Sequence, residues 1–119
     1  MTDARHIRWT DLPADRPMPL IERQRIIAEA MMVSRVHLAK GFHLDTHQHT
    51  NEQWVVMLSG RCRFGLGAEG TAARHEVEVS GGEVLVLPSG VPHSCDAIED
   101  TVILDLFSPP SEKTGVDRA

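Results

Sequence analysis

The chain has 119 residues, 41% of them hydrophobic and 24% charged, which is ordinary composition for one globular domain with a single core. Twelve Lys and Arg stand against 17 Asp and Glu, a formal charge of −5, with no basic run of the kind a phosphate backbone requires, so nucleic acid is excluded as an expected partner. No apolar stretch approaches the roughly 20 residues that span a bilayer, and the opening MTDARHIRWTDLP lacks the apolar segment of a secretory signal. The expectation is a cytoplasmic protein without a membrane span, whose two cysteines, Cys62 and Cys95, are free thiols.

Along the chain, residues 20–30 come first and read two ways. Leu20, Ile21, Ile27, Ala28 and Met31 fall on one helical face, and Glu22 to Arg25 are good helix formers, so the residues alone allow a helix as well as a strand. From Met31 onward, turn signals recur about every ten residues: Gly41, Ser59-Gly60, Gly65 to Gly70, Ser80-Gly81-Gly82, Pro88-Ser89-Gly90 and Glu99-Asp100. Between them lie short strands over Met31–Ala39, Gln53–Leu58, Arg61–Leu66, Arg74–Val79, Glu83–Leu87 and Thr101–Phe107, the pattern of an all-β sandwich or barrel. His75 to Val79 alternates polar and apolar residues and should lie half exposed. Val84-Leu85-Val86-Leu87 is apolar on both faces, which requires cover from the opposite sheet and from a second subunit. Residues 111–119, after two adjacent prolines, read as a flexible tail.

Seven histidines are many for this length, and His43, His47 and His49 lie close together, followed by Gln53. In extended chain His47 and His49 project from one face, and Gln53 returns to it, while Glu52 falls on the opposite face. His93, after the turn Pro88 to Pro92, can join them as a fourth donor, giving a His3Gln metal site. Mn, Fe, Co, Ni and Zn all suit these donors. Four neutral ligands leave a divalent ion its full charge, so the site should attract an anion, with two adjacent positions open for water or a bidentate carboxylate or hydroxy-keto ligand.

The stretch from Gly41 to Gly60, GFHLDTHQHTNEQWVVMLSG, resembles the first motif of the cupins, and that from Gly82 to Ala97, GEVLVLPSGVPHSCDA, resembles the second. Two positions depart from the usual pattern: Gln53 stands where many cupins have Glu, and Ala97 where the second motif usually ends in Asn. The resemblance implies a double-stranded β-helix, or jelly-roll barrel, as one domain over residues 1–119 with its motif-bearing core at 31–110. It also implies a homodimer, metal ligands at His47, His49, Gln53 and His93, and a strand over 25–31. The runs MMVSRVHLAKG, EQWVVMLSG and LDLFSPP are similar to the small cupins of pectin and alginate breakdown, which ketonise unsaturated uronates. That likeness implies Lewis-acid chemistry on a small anionic sugar acid or keto acid. A metal-dependent dioxygenase and a non-catalytic small-molecule-binding cupin are the alternatives. Candidate acid, base or substrate contacts are His43, Arg74 and Asp105, with Phe107 beside the last. His6, His37 and His75 lie in no motif.

Overall fold

A computed structural model describes residues 3–116. Nine strands run through them: β1 (Ile21–Ile27), β2 (Met32–Leu38), β3 (His43–His47), β4 (Glu52–Ser59), β5 (Arg61–Leu66), β6 (His75–Ser80), β7 (Val84–Leu87), β8 (His93–Ala97) and β9 (Thr101–Ser108). They form two antiparallel sheets, ordered β1-β2-β9-β4-β7 and β3-β8-β5-β6. Val55, Met57 and Leu87 of the first sheet meet Cys62, Phe64 and Cys95 of the second in one core, which is the jelly-roll architecture expected. The described residues contain no helix long and apolar enough to cross a membrane.

Residues 21–27 resolve to a strand. All seven pair with β2, from Ile21 opposite Leu38 to Ile27 opposite Met32. Helix propensity differs among ordinary residues by under about 1 kcal/mol each, too little to outweigh a full ladder that also buries Ile21 and Arg23 on the inner face. The outer side of β1 is tied down by the preceding segment. Gln24 Nε2 donates to the carbonyls of Trp9 and Leu12 at 2.6 and 2.9 Å, and Asp15 and Arg23 exchange backbone hydrogen bonds at 2.8 and 2.9 Å.

The turn between β4 and β5 needs glycine. Gly60 has φ +89°, and a Cβ there would lie 2.4 Å from the Asp100 carbonyl oxygen. In β6 only Val79 is fully buried and Val77 partly so, which matches the half-exposed alternation.

A single chain leaves the second cover expected for β7 open, and it packs part of the tail. Within one chain β7 is covered on one face alone: Leu87 is buried, whereas Val84 and Val86 are 52% and 48% exposed. Each faces outward beside a partner on β4, Val86 opposite Trp54 and Val84 opposite Val56. The tail is also not loose throughout. Residues 111–116 fold back across the barrel mouth, burying Thr114 and packing Val116 on the core, while 117–119 lie outside the described residues.

Met57 is 1% exposed at the centre of the core. Truncation by Met57→Ala is expected to cost about 2–5 kcal/mol of unfolding free energy, read as a lowered urea midpoint with an unchanged slope.

Candidate metal centre

β3 ends at His47, and the chain bends through residues 48–51 before β4 begins at Glu52. His49 therefore lies in a connection, and a bend, not strand alternation, brings it beside His47. The second motif is fastened to the same bend, since the Gly90 N–H donates to the His49 carbonyl at 2.9 Å. His93 opens β8 directly opposite His47. Ring centroids are 4.2 Å apart for His47 and His93, 5.1 Å for His49 and His93, and 5.8 Å for His47 and His49. One nitrogen from each lies within 4.8 Å of the others, so the three could hold a metal ion.

Each ring is set by a backbone carbonyl. Nδ1 of His47 meets Asp45 O at 3.0 Å, Nδ1 of His49 meets Asn51 O at 3.1 Å, and Nδ1 of His93 meets Val91 O at 2.8 Å. A carbonyl oxygen only accepts, so Nδ1 carries the hydrogen, and in the neutral ring Nε2 presents a lone pair. Nε2 of His93 is fully buried and has no hydrogen-bond partner among the described residues. Burial pushes the His93 pKa down to about 4, against the Val91 bond and with help from His47 and His49, so this ring is neutral at pH 7.

Gln53, 7% exposed on β4, adds an oxygen. Its Nε2 donates to Asp105 Oδ1 at 3.0 Å, which turns Oε1 toward His49 Nε2 at 3.1 Å. With His49 neutral, two lone pairs then face each other, an arrangement that a cation between them relieves. The donor set fits a divalent ion: three oriented imidazoles, one with an orphaned buried nitrogen, and an amide oxygen whose other end is anchored.

The cavity beside these residues has a volume of about 60 Å³. Asp105 and Phe107 of β9 line it, as does Cys95. Asp105 borders the cavity but is otherwise enclosed by protein, and burial pushes its pKa up to about 7, partly offset by the Gln53 amide. Glu52 points to the outer face, where its carboxylate accepts from Trp54 Nε1 at 2.8 Å. His43 also stays outside: its ring is exposed between Asp96 at 2.7 Å and Asp45 at 2.8 Å, and these hydrogen bonds raise its pKa. Arg74 does not reach the cavity. It crosses Gly65 and donates to Thr46 Oγ1, the Gly67 carbonyl and Ser94 Oγ at 2.9, 2.9 and 3.0 Å.

Three cavity residues escaped the sequence reading. Arg23, 3% exposed, donates through Nε and Nη2 to the Asp15 carboxylate at 2.9 and 3.0 Å, Ser34 lies on the neighbouring strand, and Thr114 comes from the tail. Arg23 and Ser34 follow from period-two alternation once β1 and β2 are known to be strands. Nothing local signals Thr114.

Two buried groups tie stability of the metal-free protein to pH in opposite senses. The unfolded chain protonates His93 below about 6.5 and the folded protein only near 4, so stability falls as pH drops through that window. The unfolded chain ionises Asp105 above about 3.8 and the folded protein only near 7, so stability falls as pH rises. In Asp105→Asn the second effect is gone. Its unfolding free energy should then rise between pH 4 and 6.5 by about 3 kcal/mol more than that of the wild type, measured from urea midpoints.

Residues 27–116 match the Cupin family, about three quarters of the chain. No curated protein matches it in sequence. Among solved structures, KdgF from a Halomonas species superposes with a TM-score of 0.75 at 25% identity, covering 87% of this chain and 93% of that one. An RmlC-like cupin from Shewanella frigidimarina gives 0.80 at 18% identity, covering 94% and 97%. Oxalate decarboxylase from Bacillus subtilis gives 0.78 at 22% identity, where 89% of this chain spans only 30% of the longer one. With both histidine motifs at one end of a two-sheet barrel and the match running over most of its length, this chain belongs to the cupin family.

Proposed function

We propose that this cupin holds one divalent transition ion through His47, His49, Gln53 and His93 and acts on a small anionic sugar acid or keto acid, in the manner of uronate ketonisation. The observation that carries this reading is the orphaned Nε2 of His93, buried between two other oriented imidazoles, with a titratable carboxyl on the same cavity. A bound divalent ion supplies Lewis acidity, polarising a carbonyl or hydroxyl oxygen of the substrate, and its four neutral ligands leave it able to attract an anion.

The chain's own residues do the rest. Asp105, with its pKa near neutrality, takes a proton from the substrate and returns it to the neighbouring carbon, moving a double bond without net gain or loss of atoms. Gln53 orients that carboxyl through its amide hydrogen bond. Arg23, held by Asp15, and Ser34 line the wall, and the Ser34 hydroxyl offers a donor to a carboxylate or hydroxyl. Phe42, Phe64 and Phe107 line it too and exclude water from around the polar groups. Support also comes from the likeness to the small uronate-ketonising cupins and from a structural relative in which Mn(II) centres are described, the Bacillus subtilis oxalate decarboxylase.

The reading extends to assembly and location. The outward face of β4 and β7 presents Trp54, Leu58, Val84 and Val86, each 44–52% exposed, and we assign it to a homodimer interface. Two buried free thiols suit the reducing cytoplasm.

Three measurements test this. Elemental analysis should find about one metal ion per chain in the wild type and none in His47→Ala combined with His93→Ala. On unsaturated uronates, Asp105→Asn should retain its metal and lose about 100-fold or more in kcat. Binding without turnover would instead make the protein a non-catalytic binding cupin, and oxygen consumption would make it a dioxygenase. Val86→Lys should shift the sedimentation coefficient from dimer to monomer, and a wild type already monomeric at micromolar concentration would exclude the interface.

A further inference from the structure

Ligand pockets for molecules of sugar size enclose about 300 Å³ or more, and the cavity beside the histidines encloses about 60 Å³, room for a few waters. Strands make most of its wall, and they are held in place by the hydrogen-bonded ladders of the two sheets. The remaining wall is Phe42, just before β3, together with Thr114 and Val116, from a segment that joins no strand.

This segment is built to lie on the metal centre. Gly115 has φ +105°, and a Cβ there would stand 2.3 Å from Nε2, 2.4 Å from Cδ2 and 2.9 Å from Cε1 of His47, so the backbone rests over the face of the ring at its Nε2 end. Only glycine permits both that conformation and that approach. Thr114 beside it is 8% exposed, and Val116 packs on the core. Arg25 Nη1 donates to the Glu112 carbonyl at 3.2 Å, and Asn51, between the first histidine pair and Gln53, donates to the Pro109 carbonyl. The segment is thus anchored at its start, near the metal-binding bend, and laid across the mouth.

We propose that residues 111–116 form a closing strap that sets which ligands the site accepts. Seated, it leaves room for water or an ion of a few atoms at the centre. A sugar-acid-sized anion binds only with the strap displaced, and its apparent affinity is lowered by the fraction of time the strap is shut. The ligand class in this inference rests on the function proposed above, whereas the cover over His47 does not.

The test compares the full chain with a variant ending at Pro110 and with full-length Gly115→Val, whose added side chain collides with His47 and unseats the strap. All three are first checked for a cooperative thermal transition. In the metal-free proteins, acylation of His47 by diethylpyrocarbonate, followed by mass spectrometry, should be at least about tenfold slower in the wild type than in either variant. In the Co(II)-loaded proteins, visible absorption should show azide binding with the same affinity in all three, and D-galacturonate binding at least about tenfold more tightly in the variants. Equal acylation rates would overturn the strap, as would azide and galacturonate responding equally to its removal. Galacturonate failing to bind any of the proteins while His47 is shielded only in the wild type would retain the strap and defeat the sugar-acid reading. No Co(II) uptake by any of them would defeat the metal reading and leave the acylation rates to decide the strap.

Discussion

Three imidazoles each give their Nδ1 hydrogen to a carbonyl two residues away in the same chain, and everything at the mouth of this barrel depends on those bonds. They set the tautomer, and they aim three Nε2 lone pairs at one small volume. Neutral rings so aimed repel no cation, whereas protonated ones would. Burial enforces neutrality at His93, the ring furthest from solvent, because charging it there costs solvation that no neighbour restores. An unpartnered nitrogen in that setting is an expense the fold would carry for no structural return.

Gln53 links this cluster to the opposite wall. A carboxylate in its place would cancel part of a bound ion's charge and would also repel Asp105. The amide does neither, since its nitrogen donates to Asp105 while its oxygen faces His49. One side chain thereby borders two electrostatic environments: a site for a cation on one side, and on the other a carboxyl that burial, partly offset by this amide, holds near neutral pH. That pairing is what a proton transfer beside a polarised oxygen requires.

The barrel uses its two faces of β4 and β7 differently. Gln53, Val55 and Met57 point inward to the centre and the core, and Trp54 and Leu58 point outward with Val84 and Val86. A substitution on the outer face therefore reaches the centre only through the backbone of the strand that carries Gln53. The first and last parts of the chain complete the enclosure from outside the sheets, Asp15 by pairing with the buried Arg23 and residues 111–116 by closing the mouth.

By itself the sequence determined the all-β class, most strands of the larger sheet, the inward side of Gln53 and the outward side of Glu52, and the candidacy of His47, His49 and His93. These rest on short-range facts: turn residues at regular spacing, period-two alternation, and donors at motif intervals. The strand at Ile21 to Ile27 was not decided locally, because its propensities suit a helix and only the ladder to β2 selects the strand. Nor could local pattern separate Asp105, which faces the centre, from His43 and Arg74, which satisfy their hydrogen bonds outside it. The tertiary structure alone decided that Thr114 and Gly115 lie on the site. That contact joins residues far apart in the chain, and its only local trace is a glycine whose reason, the ring of His47, is nowhere near it in sequence.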